Sequence, residues 1–157
     1  MGYPAVPPRR NPGDLIVTKE ADIAAPMETV FEVLEDIQLF VRLEENVSKV
    51  SITSEIKSGV GMKSHWEMYE PSNGAAWFVD EEIVHYDKPR QIAYVGESAE
   101  GKSYAGVHNL SPGKNGGTHL VFNEVFHFPV DSSIDKVVAG MVSNVKKESE
   151  LRSGRKA

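Results

Sequence analysis

Residues 118–145, THLVFNEVFHFPVDSSIDKVVAGMVSNV, change their hydrophobic period halfway along, and that change decides the fold. Up to Phe128 the side chains alternate: Leu120, Phe122, Phe126 and Phe128 share one parity with Glu124, and His119, Val121, Asn123, Val125 and His127 take the other. Alternation of this kind is the mark of a strand with one face buried. Pro129 ends the strand and Asp131 or Ser132 offers an N-cap. From Ile134 the period becomes that of a helix, running to Leu151. Ile134, Val137, Val138, Met141, Val142 and Val145 fall at i, i+3, i+4, i+7, i+8 and i+11, a single apolar stripe. A long helix with one apolar stripe, directly after a strand with one aromatic face, calls for a sheet on which that stripe can lie.

Working back from this junction, the period of two persists over roughly 80 residues after Asn46. Strands are expected around Val50 and Ile52 and over Met62–Tyr69, Ala76–Asp87, Gln91–Gly96, Tyr104–Leu110 and Thr118–Phe128. Turn signals separate them: Ser58-Gly-Val-Gly61, Glu70-Pro-Ser-Asn-Gly74, Asp87-Lys-Pro89, Ala99-Glu-Gly101 and Ser111 through Gly117. In front lies one more strand, Leu15–Ile23. Pro26 then opens a helix that buries Met27, Val30, Phe31 and Leu34 and exposes Glu28, Glu32 and Glu35. A second short helix is expected from Ile37 to Arg42 or Glu45. The order defines an α+β fold, a curved antiparallel sheet of about six to seven strands wrapped around a long C-terminal helix, with two short helices after the first strand.

Composition limits the chemistry. The chain has 157 residues with 17 Lys and Arg against 23 Asp and Glu, and no cysteine. One domain is expected over residues 14–151; a chain of this size buries roughly 70% of its unfolded surface, enough for a core without staples. The absence of cysteine excludes thiolate catalysis, disulfides, Cys-bound zinc and iron–sulfur clusters. Residues 1–13 carry four of the nine prolines and are expected to form a disordered leader; residues 152–157 are expected to be a flexible basic tail. Because both ends are basic, the body between them is more acidic than the whole chain at −6. Such a body repels phosphate backbones, so no nucleic-acid partner is expected. No apolar run approaches the roughly 18 residues of a membrane span, and MGYPAVPPRR lacks the apolar stretch of a signal peptide, so a cytoplasmic protein without membrane insertion is expected. The oligomeric state stays open.

Several fragments in a fixed order carry a resemblance: Ile23-Ala-Ala-Pro-Met-Glu-Thr-Val-Phe-Glu-Val-Leu-Glu-Asp36, Glu45-Asn-Val-Ser-Lys-Val-Ser-Ile52, Gly59-Val-Gly61, Ile83-Val-His-Tyr-Asp-Lys-Pro-Arg90 and Gly116-Gly-Thr-His-Leu-Val-Phe122. Together they resemble the START-like superfamily, also called birch-pollen-allergen-like or helix-grip, and within it the polyketide cyclase/dehydrase branch. The stretch from Val30 to Ile52 is also similar to the coenzyme Q-binding branch, with Phe40-Val41 in place of a Tyr-Pro pair. The resemblance implies a pocket between sheet and long helix for an apolar or aromatic molecule. It leaves three roles open: binding of a hydrophobic, polyketide-like compound; a cyclase, aromatase or dehydratase; and a protein-interaction module, as cochaperone members would suggest.

Parity nominates the pocket walls. Met62, Ser64, Trp66 and Met68 form the apolar side of their strand; Trp77 and Glu81 share a side of the next; Tyr94 lies on the strand after it; Tyr104, His108 and Leu110 share one side of theirs. Glu124 then points into an aromatic surface and needs a partner, since an unpaired buried carboxylate costs several kcal/mol. With Leu110 opposite Thr118, Tyr104 would face Glu124 and His108 would face Leu120, giving a Glu124, Tyr104 and His108 cluster walled by Trp66, Trp77, Phe122, Phe126, Val138, Met141 and Val142. An acid, a phenol and an imidazole together suit hydrogen bonding to a ketone or enol, or proton transfer beside one. Glu124 is equally readable as a water-bonded strand residue. No cofactor is expected, and no metal, since the five histidines show no ligand spacing; His119 and His127 would stand about 27 Å apart on a strand.

Overall fold

The computed structural model describes residues 2–156, with the side chains of Arg155 and Lys156 excepted. The chain runs β1 (Leu15–Ile23), α1 (Met27–Glu35), a 3-10 turn (Ile37–Leu39), α2 (Phe40–Leu43), then β2 (Val47–Ile52), β3 (Lys63–Tyr69), β4 (Ala76–Asp87), β5 (Gln91–Ser98), β6 (Ser103–Pro112), β7 (Thr118–Phe126) and α3 (Ser133–Lys156). All seven strands form one antiparallel sheet in the order β1-β7-β6-β5-β4-β3-β2. β2 to β7 follow one another as a meander, and β1 closes against the last strand.

Each helix is placed by the stripe read from its sequence. Val30, Phe31 and Leu34 of α1 are buried, as are Val137, Val138, Met141, Val142 and Val145 of α3, which packs against β1 and α1. Asp131 caps α3 by accepting the Ser133 N–H at 2.8 Å. Thr118 ties β7 to the entry of α1, its hydroxyl donating to the Ala25 carbonyl at 2.7 Å. Glu148, buried on α3, receives Arg42 of α2 at 2.8 Å and Arg152 one helical turn on at 2.8 Å.

Both ends differ from the sequence expectation. Residues 2–13, expected to be disordered, lie on the outer face of the sheet. The Ala5 carbonyl accepts from Asn109 Nδ2 at 3.0 Å and Asn123 Nδ2 at 2.9 Å, Gln91 Nε2 reaches the Tyr3 carbonyl at 3.3 Å, and Tyr3 stacks on His85. The outward-facing side-chain amides of Gln91, Asn109 and Asn123 on β5, β6 and β7 take the Tyr3 and Ala5 carbonyls as acceptors. At the other end α3 continues through Lys156, so residues 152–156, expected as a flexible tail, form its last turns. Met1 and Ala157 lie outside the described residues.

The β6–β7 hairpin also departs from expectation. Pro112 pairs with Thr118, so Gly106 faces Glu124, Tyr104 faces Phe126 and His108 faces Phe122. β6 runs two residues further than its alternation suggested. The connection is tightened by a 3-10 turn at Lys114–Gly116, with Asn115 at φ 54° and Gly116 at φ 78°, backbone conformations that Asn and Gly adopt most readily. A shift in pairing of this size preserves parity. Every side chain stays on its predicted face while its cross-strand partner changes.

Candidate ligand-binding site

Between the inner face of the sheet, the α1–α2 corner and the first turn of α3 lies a cavity of about 60 Å³. Its walls include Trp66 and Met68 of β3, Trp77 and Glu81 of β4, Tyr94 of β5, Tyr104 and His108 of β6, and Glu124 and Phe126 of β7. These are nine of the side chains that alternation nominated. Phe122, Val138, Met141 and Val142 do not line the cavity. They are 0–3% exposed in the core, where α3 packs against β1 and α1; Ile134 is the residue of α3 that reaches the cavity wall. The α1–α2 side is closed by Leu34, Ile37, Phe40, Glu44 and Asn46. The three apolar ones lie on recognisable helical faces. Glu44 and Asn46 stand where α2 gives way to extended chain, with no periodicity to show their direction.

Two phenol–carboxyl pairs organise the wall, and each crosses a glycine. Tyr94 on β5 passes over Gly106 on β6 and donates its hydroxyl to Glu124 Oε2 on β7; these three residues are aligned across neighbouring strands. Tyr104 on β6 passes in the opposite direction over Gly96 on β5 and donates to Glu81 Oε2 on β4 at 2.5 Å. The rings meet edge to face with centroids 6.1 Å apart. A Cβ on Gly106 would lie 2.5 Å from Tyr94 Oη, and one on Gly96 would lie 2.5 Å from Tyr104 Cζ, so both glycines are needed for the phenols to cross. The expected Glu124–Tyr104–His108 cluster is therefore corrected: Tyr94 is the partner of Glu124, Tyr104 belongs to Glu81, and His108 stacks on Phe122 at 4.3 Å without bonding either acid.

The carboxyls hold their protons unusually well. Burial pushes Glu124 up to about 8, with the Glu44 charge adding and the Tyr94 hydrogen bond opposing. Burial pushes Glu44 up to about 7. Glu81 stands well above the ordinary carboxyl range through burial and the charges of Glu124 and Glu44, against the opposing Tyr104 hydrogen bond. Burial also raises both phenols, which stay protonated as donors. His108 is driven down to about 3 by burial and is neutral at ordinary pH. Three buried polar atoms on the wall have no partner: Asn46 Oδ1, Trp77 Nε1 and His108 Nδ1. Buried groups of this kind are normally satisfied, so the cavity offers hydrogen-bonding capacity that the protein itself does not use.

Among the described residues no cluster of His, Asp and Glu has the arrangement of a metal site, and no helix is long and apolar enough to cross a membrane.

A seven-stranded sheet gripping a C-terminal helix over an aromatic, partly polar cavity defines a helix-grip protein of the START-like superfamily. Residues 14–152 match the family of polyketide cyclase/dehydrase and lipid transport proteins, and the chain belongs to that family. No curated protein has a sequence that matches it. Among solved structures it is similar to the Zhui aromatase/cyclase of a Streptomyces species, with 18% identity, 88% of this chain and 95% of that one covered, and a TM-score of 0.69. A START superfamily protein from Mycobacterium smegmatis matches at 13% identity over 90% of this chain and 99% of that one, TM-score 0.67. Ara h 8.0201 matches at 16% identity over 91% and 99%, TM-score 0.67. At these identities the likeness is one of fold.

Proposed function

We propose that this protein binds a hydrophobic, aromatic or polyketide-like small molecule in the cavity between the sheet and the start of α3. The observation that carries this reading is the set of unpartnered polar atoms, Asn46 Oδ1, Trp77 Nε1 and His108 Nδ1, on a wall otherwise built of aromatic and aliphatic side chains. A cavity meant only as core would be expected to be apolar and filled, whereas ligand sites combine apolar walls with a few polar groups that fix orientation. At about 60 Å³ the closed form holds a few waters, against roughly 300–1,000 Å³ for occupied ligand pockets, so entry of a ligand requires the wall to open. Half-buried Trp77, with no hydrogen bond holding its indole, is the side chain best placed to move. Native mass spectrometry of the purified protein, followed by a thermal-shift screen of naphthols, anthraquinones, aromatic ketones and aromatic amines, tests the reading. A copurifying small molecule, or a gain of about 2.7 kcal/mol at 100 times the dissociation constant, is expected. A flat screen with no copurifying species refutes it.

A second reading, catalysis as a cyclase, aromatase or dehydratase, draws on one observation. Glu124 holds its proton up to about 8 and is bonded to Tyr94, so near neutral pH it can supply a proton to a ketone or recover one from an enol. In that reading Glu124 is the acid–base group, Tyr94 orients it, and neutral His108 is a wall. Glu124→Gln should then abolish conversion while sparing binding; a variant that still converts a polyketide ketone at the original rate excludes the role.

A further inference from the structure

The binding reading leaves the ligand's charge open, and the wall narrows it. Three carboxyls, Glu44, Glu81 and Glu124, converge on the cavity from the end of α2, from β4 and from β7, close enough that Glu81 feels the charge of the other two. No lysine or arginine is among the lining residues. The remaining titratable groups facing the carboxyls are Tyr94 on β5 and Tyr104 and His108 on β6, while α1 and α3 contribute only Leu34 and Ile134. Asn46, a lining residue that is 2% exposed, keeps an unpartnered buried acceptor, Oδ1. The phenol donors are already committed to carboxyls. What the cavity lacks is a cation with several N–H donors, and its aromatic walls add favourable faces for one.

Building on the binding reading, we propose that the ligand is an aromatic compound carrying a protonated amine, whose ammonium group is received by Glu44, Glu81, Glu124 and Asn46 Oδ1. A single positive charge among three carboxyls offsets the cost of ionising one of them, and three N–H donors can satisfy Asn46 together with two carboxyls. The unpartnered Trp77 Nε1 provides for one ligand oxygen besides. Because the free carboxyls hold their protons to about 7 and 8, entry of an ammonium group expels a proton, and affinity rises with pH until the amine itself titrates.

The test compares 2-phenylethylamine and tryptamine with the neutral 2-phenylethanol and the anionic 3-phenylpropionate by titration calorimetry. At pH 7.5 the amines are expected to bind at least tenfold more tightly than the alcohol, and the acid not to bind. Amine affinity should rise about tenfold between pH 6 and 7, the linkage of one released proton. Repeating the titration in buffers of different ionisation enthalpy counts that proton without any variant. Glu124→Gln and Glu81→Gln, whose amides can still accept the tyrosine hydrogen bonds, should each lower the preference for the amine over the alcohol tenfold or more. Alcohol binding as tight as amine binding, or amine affinity independent of pH, overturns the proposal and leaves the aromatic cavity reading intact. Failure of every compound, here and among the naphthols and ketones, overturns both.

Discussion

Gly106→Ala is the smallest change that tests how the cavity is built. The added methyl would lie 2.5 Å from Tyr94 Oη and 2.7 Å from Cε1, and a phenol ring cannot yield as the end of a flexible chain can. Tyr94 must therefore leave its place, and its hydrogen bond to Glu124 goes with it. Overpacking costs about 1–3 kcal/mol and a lost bond to a buried acid about 1.5–3. Against this, alanine is favoured over glycine within a strand by about 0.5–1 kcal/mol. A net loss of roughly 3 kcal/mol follows, which for a domain of this length lowers the melting temperature by about 6–12 °C. Thermal and urea unfolding of Gly106→Ala, Tyr94→Ala and the double variant close a mutant cycle. Once the ring is gone the methyl has space, so the double variant should be more stable than the sum of the single effects by about 1–3 kcal/mol. A Gly106→Ala protein within 0.5 kcal/mol of the parent, or strictly additive effects, would refute the crossing of Tyr94 over Gly106.

Other outcomes follow from the buried charges and the leader. Glu124 is raised to about 8 in the folded state, so the folded protein holds a proton that the unfolded chain releases near 4.5; its contribution to stability is undiminished below about pH 4.5 and is lost as pH rises toward 8. Glu124→Gln should accordingly gain on the parent by on the order of 2–4 kcal/mol between pH 5 and pH 8.5 in urea unfolding, and a difference that does not vary with pH would contradict the buried protonated acid. Glu148 behaves in the opposite sense: the hydrogen bonds from Arg42 and Arg152 hold it at about 2, so its contribution is present above about pH 4.5 and disappears as pH falls through 2. Glu148→Ala should cost about 1–2 kcal/mol at pH 7, and Arg42→Ala, whose side chain is 60% exposed, only about 0.5–1, with both effects fading in acid melts. Deleting residues 2–9 should lower stability by about 1–2 kcal/mol and speed amide exchange on β6 and β7. Ligand affinity should be unchanged, because the leader and the cavity lie on opposite faces of the sheet; a loss of affinity would place the leader in the binding path.

The order of elements, the face of each strand and the buried stripe of each helix are legible along the chain. They depend on periods of two and of 3.6 that a few neighbouring residues set. Trp66, Met68, Trp77, Glu81, Tyr94, Tyr104, His108, Glu124 and Phe126 could be nominated for the cavity on that ground alone. Three matters waited for the tertiary structure. The partner of Glu124 depends on the pairing of β6 with β7, which the left-handed turn at Asn115 and Gly116 moves by two residues; parity is blind to such a shift, so the face was right and the neighbour was not. The two phenol–carboxyl pairs depend on glycines that matter only because a tyrosine from the adjacent strand lies above them, a contact between residues distant in sequence. The extent of the cavity depends on where α3 presses on the sheet: Val138, Met141 and Val142 share a stripe with Ile134, yet only Ile134 overlooks open space. Local periodicity tells a side chain which way to point, and only the packing of whole elements decides whether it meets another side chain or a gap.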